Sequence, residues 1–260
     1  RDVLGSRGLG DVYKRQVNGA AAYALKARAL LYRASKLNNP DGNTAYWANA
    51  AQAAADFITQ NNKQSSPYRL YNTGNPENDY YECFTTNPVY NNEIILARSV
   101  WNTNQVEKVF LPVGFTGSFS GNGRTNPTQN LVDAYEMSNG KRIDENGSTY
   151  DAANPYKDRD PRLAQTIFYQ GMMWGRADKE ERRAIDVRYN SDADKGVDYT
   201  SAMGGTYTGY YLKKFVNNIS CKEPATYPHA WMIFRYGEIL LNAAEAYNEA
   251  CLLYTSDAAD

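Results

Sequence analysis

An alanine-rich pair of helical segments constrains the fold of this 260-residue chain more than any other feature. In VNGAAAYALKARALLYRASKL, apolar residues recur at helical spacing, and the turn sequence NNPDG ends the segment. A second helical segment, TAYWANAAQAAADFITQ, follows that turn. Alanine lets two helices approach closely, so we expect these segments to pack against each other.

The spacing also predicts which side chains of the pair face the core. On the first helix they are Ala21, Leu25, Arg28, Ala29, Tyr32 and Leu37. On the second helix they are Trp47, Ala50, Ala51, Ala54, Phe57 and Ile58. A tetratricopeptide-type repeat has this pattern, and so does any antiparallel helical hairpin. The pair alone leaves both interpretations open.

A further helical pattern covers PHAWMIFRYGEILLNAAEAYNEA, residues 228–250. Its predicted core face consists of Ile233, Tyr236, Leu240, Ala244 and Tyr247. The opposite side carries Glu238, Asn242, Glu245 and Glu249, which is typical of a solvated face. The alternative is that Arg235 and Glu238 are partly buried and tie this helix to another segment, which requires hydrogen-bonded partners.

The segments between these helices are rich in Asn, Gly, Pro and aromatic residues, which predicts long loops over 61–126 and 170–225. Within them, EIILARSVW is either a short strand or a buried helical turn, and GGTYTGYYLKKFV is a strand or an extended arm. The pattern predicts helices near 17–37, 43–60, 127–138 and 229–250, packed in antiparallel pairs.

Composition and motifs exclude several classes of function. Lys plus Arg number 28 and Asp plus Glu number 29, so the overall charge does not favour nucleic-acid binding. Three cysteines without CxxC spacing argue against a zinc site or a disulfide framework, and we expect no metal or cofactor. The single histidine and the lack of GxSxG, GxxxxGK[ST] and HExxH motifs give no support to hydrolase machinery. No apolar run is long enough for a transmembrane helix.

Acidic segments elsewhere have simpler interpretations than catalysis or calcium binding. DENGSTYD and DADKGVD lack the register of a calcium loop and are interpreted as turns. Asp158 and Asp160 could serve a glycosidase as paired carboxylates. In NPYKDRDPRL, however, the alternating charges and the proline favour a rigid, ion-paired corner.

The two ends differ in character from the rest of the chain. RDVLGSRGLGDVYKRQ and CLLYTSDAAD resemble translated sequencing-adaptor read-through. We therefore expect 1–16 and 251–260 to be a non-native leader and tail that make few contacts with the core, and 17–250 to be a partial domain. Its helical scaffold would lie in 17–60 and 229–250, with a loop-rich lobe over about 61–228.

Four segments, in order, resemble the SusD/RagB family of outer-membrane nutrient-binding lipoproteins from Bacteroidetes. They are NPTQNLVDAYEMSNGKRI, NPYKDRDPRLAQTIFY, GYYLKKFV and WMIFRYGEILLNAAEAYNEA. The first resembles the family's Pro-Thr, helix and Asp-Gly segment, with Asn139 and Gly140 in place of Asp-Gly. The second resembles its Arg-Asp-Pro-Arg-Leu corner, and the last resembles its Arg-Tyr-x-Glu helix. The resemblance implies a mainly α fold, with a tetratricopeptide-like helical scaffold and a loop-rich lobe.

The resemblance also implies roles for particular residues. In that family the Arg-Tyr-x-Glu helix belongs to the scaffold, which implies that Arg235 and Glu238 are structural. Our hypothesis is that they pair with the corner formed by Asp158, Arg159 and Asp160.

For function, the resemblance implies a lipid-anchored protein at the cell surface, on the outer membrane. Such a protein hands oligosaccharides or other nutrients to a SusC-like TonB-dependent transporter. The chain has no lipobox, so its only membrane attachment would be a lipid anchor outside this sequence. The leading hypothesis is non-catalytic glycan binding. The alternatives are a peptide-binding tetratricopeptide scaffold and a helical-toroid enzyme that cleaves glycans, which would need two carboxylates in one cleft.

The predicted ligand-binding segment runs from Tyr80 to Arg124, where aromatic and amide side chains concentrate. Its candidate residues are Tyr80, Tyr81, Tyr90, Trp101, Asn102, Phe115, Phe119, Asn122 and Arg124. Trp101 is the leading candidate, because SVWNTNQ places an indole beside Asn102 directly after an apolar run. The alternative is that Trp101 caps a hydrophobic core. Trp174 and Tyr207 are the next candidates.

Overall fold

The computed structural model describes residues 17–98, 101–201 and 204–251, whose contacts form two compact units. Unit 1 comprises the described residues of 1–71, 87–101 and 230–260, and unit 2 comprises those of 72–86 and 102–229. Of the residues assigned to the loop-rich lobe in the sequence analysis, 61–71 and 87–101 belong to unit 1.

The α-helices of the described residues are α1 (Gly19–Ala34), α2 (Thr44–Asn62), α3 (Pro76–Thr85), α4 (Gln105–Phe110), α5 (Gln129–Ala134), α6 (Pro161–Thr166) and α7 (Tyr236–Glu249). Short 3-10 helices cover Pro88–Tyr90 and Ala177–Lys179. The four predicted helices are thus present as α1, α2, α5 and α7. The bounds of α1, α5 and α7 are shorter than predicted, whereas α2 ends two residues later than predicted. The helices α3 and α4 lie where loops were predicted.

The strands are β1 (Ile94–Ala97), β2 (Trp101–Thr103), β3 (Ile167–Phe168), β4 (Met173–Trp174), β5 (Arg183–Ala184), β6 (Tyr189–Ser191), β7 (Asp194–Lys195), β8 (Thr200–Ser201), β9 (Gly204–Gly205), β10 (Tyr211–Leu212), β11 (Tyr227–His229) and β12 (Met232–Arg235). Within EIILARSVW, residues 94–97 therefore form a strand rather than a helical turn, and GGTYTGYYLKKFV contains β9 and β10.

Unit 1 is built on α1, α2 and α7 around a core of alanine side chains. Asn18 and Asn43 cap α1 and α2, because their side-chain oxygens accept hydrogen bonds from the N–H groups of Ala21 and Ala45 at 2.9 and 3.0 Å. The main core cluster consists of Ala20, Ala24, Ala27, Ala53, Ala54, Phe57, Ile95, Phe234, Ile239 and Ala243. Small side chains allow close approach of the helices, as the sequence predicts.

The core face of α1 differs from the predicted one. Leu25, Tyr32 and Leu37 were expected inside but are 58%, 62% and 88% exposed. The buried residues are Ala20, Ala21, Ala24, Ala27, Leu31 and Ala34. The prediction chose the face with the bulkiest side chains, whereas the helices pack through alanine. On α2, the predicted burial of Ala50, Ala51, Ala54 and Phe57 is confirmed.

The predicted helix 229–250 begins later than expected, because β12 precedes α7. Strand β12 pairs with β1 in antiparallel register, with Ile94 opposite Arg235 and Ala97 opposite Met232. Ile233 consequently lies on a strand and is 41% exposed rather than in the core.

The core face of α7 is also rotated from the predicted face. It consists of Gly237, Ile239, Asn242, Ala243 and Ala246. Ala244, predicted on the core face, is exposed. Asn242, predicted on the solvated face, is only 8% exposed.

Unit 2 contains short helices and short antiparallel strand pairs around an aromatic core. The pairs are β3 with β10, β4 with β5, β6 with β7, and β8 with β9. The main core cluster consists of Leu111, Phe115, Phe119, Phe168, Trp174, Ile185, Tyr211, Val216, Ile219 and Cys221. A smaller cluster contains Val132, Leu163, Ile167 and Tyr210.

The prediction about the two ends concerns residues that lie outside the described part of the chain, except Cys251, which is exposed. Within the described ranges, no helix is both long and apolar enough to cross a bilayer. Nor do those ranges bring together three His, Cys, Asp or Glu side chains in a group suited to a metal ion.

Candidate functional site

Trp101 lies in unit 1 beside the ribbon formed by β1 and β12. The guanidinium carbon of Arg98 is 4.9 Å from the centre of the Trp101 ring, which is a cation–π distance. The N–H of Arg98 donates to the carbonyl oxygen of Trp231 at 2.8 Å, so Trp231, directly before β12, lies opposite Arg98, directly after β1. Trp231 is 54% exposed, and Arg98 is also exposed. One end of the ribbon therefore carries two indoles and a guanidinium, the Arg98–Trp101–Trp231 surface.

This surface has the chemistry that sugar binding requires. Indole faces pack against the C–H groups of a pyranose ring, and a guanidinium donates hydrogen bonds to hydroxyl oxygens. Arg98 is planar and rests against an aromatic face, which limits the conformations open to it.

Tyr90 is the other predicted site residue in unit 1. It ends the 3-10 helix Pro88–Tyr90 and is 75% exposed, as expected for a ligand-contacting aromatic residue. Trp101 itself is partly buried.

The predicted site residues Tyr80 and Tyr81 lie on α3 in unit 2, and both are partly buried. The ring of Tyr80 meets Phe84 edge-on at 5.1 Å, and its hydroxyl accepts a hydrogen bond from Lys214 Nζ at 3.2 Å. The hydroxyl of Tyr81 donates to the carbonyl oxygen of Val216 at 2.6 Å. Burial raises the pKa of Tyr81 above its ordinary value. These contacts fix the two rings within the unit.

Phe115 and Phe119 were expected to be exposed, and this expectation is wrong. Each is only 5% exposed and belongs to the aromatic core of unit 2. The guanidinium carbon of Arg183 lies 4.2 Å from the centre of the Phe115 ring. Gly and Ser neighbours make the segment look like a loop, and sequence alone does not show that its aromatic residues point inward.

The remaining predicted residues are polar and lie in unit 2. Asn102 and Arg124 are exposed, and Asn122 is partly buried. Of the two reserve candidates, Trp174 is a core residue at 7% exposure, whereas Tyr207 is 97% exposed.

The hypothesis that Arg235 and Glu238 pair with the Asp158–Asp160 corner is wrong, because the structure gives both residues partners within unit 1. Glu238 accepts hydrogen bonds from Arg28 on α1, and the same bond raises the pKa of Arg28. Arg235 donates to the carboxylate of Glu93, a residue that is 3% exposed. Both partners are farther away in the sequence than the predicted corner, at 142 positions for Glu93 and 210 for Arg28.

The corner itself is held by other contacts. Arg159 donates to the carbonyl oxygens of Val132 and Tyr135, both at 2.7 Å. Asp160 caps α6 by accepting from the N–H of Arg162 at 2.8 Å, and it also binds the Arg162 side chain. Asp158 is exposed and adopts a positive φ of 52°. Asp160 is therefore a helix cap, and the corner is structural, as the charge pattern predicts.

Arg98 and Trp231 are not among the residues that the sequence predicts for the site. The helical pattern over 228–250 includes Trp231, so the sequence predicts this residue within a scaffold helix. The residues before that helix, HAWMIFR, are rich in aromatic and β-branched residues, which is a strand signal. That signal could have indicated a ribbon with an exposed tryptophan at its edge.

A family model and several solved structures match this chain. The model of the SusD family, SusD_RagB, matches residues 56–251. A search of curated protein sequences finds no match. A SusD-like protein from Bacteroides fragilis matches with 24% identity and a TM-score of 0.66, over 94% of this chain and 46% of its own. A SusD-like carbohydrate-binding protein from the same species matches with 20% identity and a TM-score of 0.66, over 93% and 42%.

A third solved structure, described as a complex with xylogluco-oligosaccharide, matches with 17% identity and a TM-score of 0.50 over 90% of this chain and 40% of its own. The chain thus spans less than half the length of these solved relatives. Their similarity confirms the expected mainly helical, SusD-like fold. Since the family model covers most of the sequence, the chain belongs to the SusD family.

Proposed function

We propose that this chain binds oligosaccharides without cleaving them, and that the Arg98–Trp101–Trp231 surface contacts the sugar. The observation that carries the proposal is the pairing of an exposed guanidinium with two tryptophans at one end of the β1–β12 ribbon. Trp231 offers an accessible indole face, Arg98 offers hydrogen-bond donors, and Trp101 holds Arg98 in place. Family membership supports this ligand class, as does the oligosaccharide in one structural relative.

The same proposal includes a place in nutrient uptake. As part of a longer, lipid-anchored protein at the outer-membrane surface, the chain would deliver its ligand to a SusC-like TonB-dependent transporter. Co-purification of the full-length protein with such a transporter tests this part separately from sugar binding.

A catalytic role is not favoured by any contact of the acidic residues that the sequence singles out. Asp160 is committed to a helix cap and to Arg162, and Asp158 is bound only loosely by Lys157, at 4.0 Å. A glycosidase needs two carboxylates facing one cleft, one of them with a raised pKa. Burial raises the pKa of Asp160, but the side-chain and backbone hydrogen bonds from Arg162 and the charge of that residue together lower it below its ordinary value.

Isothermal titration calorimetry with xyloglucan and malto-oligosaccharides tests the proposed surface. We expect Trp231→Ala and Trp101→Ala each to weaken binding about tenfold, since one aromatic–sugar contact contributes about 1.4 kcal/mol. Tyr32→Ala is the matched control, because Tyr32 is a 62% exposed aromatic residue on α1 of the same unit and should leave affinity unchanged. Wild-type affinity in both tryptophan variants, with intact circular dichroism, would overturn the proposal.

A further inference from the structure

The hairpin of β6 and β7 in unit 2 carries a second, separate aromatic feature. The rings of Tyr189 and Tyr199 stack with their centroids 4.8 Å apart and their planes 28° from parallel. Tyr189 is 51% exposed, whereas Tyr199 is partly buried. Tyr199 therefore acts as the inner ring that supports Tyr189, and Tyr189 presents itself to solvent.

The base of the hairpin is fixed by backbone contacts. The N–H of Gly196 donates to the carbonyl oxygen of Arg188 at 2.8 Å, and that of Asp198 donates to Asp186 at 2.9 Å. A Cβ on Gly196 would lie 2.1 Å from the carbonyl oxygen of Asp186, so the two chain segments approach too closely for any side chain.

A buried ion pair reinforces this base. The carboxylate of Asp198 is fully buried and binds Arg183 at 2.6 and 2.9 Å. It also accepts hydrogen bonds from the N–H groups of Gly114 and Asp186, at 3.2 and 2.9 Å. Because the base is held in this way, the aromatic pair is in position before any ligand arrives, and binding loses little entropy in ordering it.

Polar groups suited to sugar hydroxyls lie on the same hairpin as the outer ring. The Tyr189 hydroxyl lies 3.4 Å from a carboxylate oxygen of Asp192, and the Asn190 amide donates to Asp194 at 2.9 Å. All four of these residues are exposed. An aromatic face flanked by amide and carboxylate groups is the arrangement that binds a pyranose through its C–H face and its hydroxyls together.

We propose that Tyr189 is the platform of a second sugar-binding surface, on unit 2, and that this surface selects neutral oligosaccharides. The selection follows from charge. Asp192 and Asp194 contribute two negative charges, and Lys195, which pairs with Tyr189 across the hairpin, contributes one positive charge. Arg188 is occupied by Asp186 at 2.7 Å, so the local field remains negative and repels uronic acids.

Fluorine NMR of the whole chain labelled with 3-fluorotyrosine tests the proposal at the residue itself. Tyr189→Phe identifies the Tyr189 signal by removing it while keeping a ring to stack on Tyr199. We expect xyloglucan heptasaccharide or maltoheptaose to shift that signal, and oligogalacturonate at equal concentration to leave it in place. A Tyr189 signal that neither neutral oligomer moves, or that oligogalacturonate moves as far, overturns the proposal.

Running the titration in the Trp231→Ala variant separates the two surfaces. The Tyr189 signal should respond there as in the wild type, whether or not Trp231 contributes to binding in unit 1. For the neutral oligomer that shifts the Tyr189 signal, adding Tyr189→Ala to the Trp231→Ala variant should raise the Kd about tenfold. Leu131→Ala is the control, since Leu131 is a 45% exposed apolar residue on α5 of the same unit and should leave the Kd unchanged. Equal Kd values for Tyr189→Ala and Leu131→Ala would contradict the assignment to Tyr189.

Discussion

Arg28 on α1 and Glu238 on α7 form a two-pronged ion pair, with Nε and Nη2 of the arginine each 2.5 Å from a carboxylate oxygen. Arg28 also donates to the carbonyl oxygen of Ile233 at 2.6 Å, and its guanidinium carbon lies 4.1 Å from the centre of the Phe234 ring. The residues are 210 positions apart in the sequence. One side chain thus joins the first helix of unit 1 to the start of its last helix.

We predict that Arg28→Ala lowers the free energy of unfolding by about 1–3 kcal/mol, because it removes charge-assisted bonds between side chains that are only 28% and 25% exposed. Arg28→Lys should recover only part of this loss, since an ammonium group cannot make the paired contact. Urea denaturation followed by circular dichroism measures both variants.

Lys26→Ala provides the control on the same helix. Lys26 lies 3.6 Å from Asp56, but its side chain is 55% exposed, so the loss should be within about 0.5 kcal/mol. Equal losses for Lys26→Ala and Arg28→Ala would show that the paired contact of Arg28 with Glu238 adds no more to the free energy of unfolding than an exposed ion pair does.

The helices of unit 1 were predictable because alanine-rich helical periodicity is a local property of the sequence. Which face of each helix is buried was not, since it depends on the neighbours. On α1 the exposed side holds Leu25 and Tyr32, and hydrophobicity alone ranks these above the alanines that are buried. The partners of Arg235 and Glu238 were missed for the same reason, because Glu93 and Arg28 are distant in the sequence.

The candidate site was predicted only in part. Trp101 was chosen from its amide-rich surroundings, but its contact with Arg98 and the position of Trp231 depend on the pairing of β1 with β12. That pairing joins segments more than 130 residues apart, and no local pattern specifies it. Phe115 and Phe119 were predicted in the site but lie in the core, because the loop-like composition of their segment does not show that their side chains are buried.

Gly123 is packed against the buried ring of Tyr211, and we predict that Gly123→Ala is among the most destabilising single changes in unit 2. Its φ is +54°, and a Cβ would lie 2.2 Å from a ring carbon of Tyr211, which has no exposed surface. Backbone strain and overpacking together should cost about 2–4 kcal/mol. Thermal denaturation monitored by near-ultraviolet circular dichroism reports the loss directly, since Tyr211 is in the aromatic core.

Gly140→Ala is the matched control for backbone strain alone. Gly140 has a φ of +77° in the turn after Asn139, but a Cβ there would meet nothing within 4 Å. The expected cost is about 1 kcal/mol. If Gly123→Ala and Gly140→Ala lose equal stability, the contact of a Cβ with Tyr211 does not contribute to the cost of Gly123→Ala.

Lys213 makes the free energy of unfolding of unit 2 depend on pH. Its ammonium donates to the carbonyl oxygen of Ala164 at 2.7 Å and lies 5.1 and 5.2 Å from the ring centres of Tyr81 and Trp174. Burial lowers the pKa of Lys213 from 10.5 to about 8. Between these two values the unfolded chain binds more protons than the folded one, so the free energy of unfolding rises with pH across that window. Below pH 8 both states are protonated, and the cost of burying the charge is complete.

We therefore predict that the stability of the wild type relative to Lys213→Met increases as the pH is raised from 8 to 10.5, by about 1–3 kcal/mol. Methionine keeps an unbranched apolar chain against Tyr81 and Trp174 but cannot titrate, and the tyrosines that ionise above pH 9 are common to both proteins. Their contribution cancels in the difference between the two urea denaturation curves measured at each pH. A difference that stays constant from pH 7.5 to 10.5 would mean that the Lys213 ammonium has the same pKa in the folded and unfolded states, and that the two rings and the Ala164 carbonyl compensate fully for its burial.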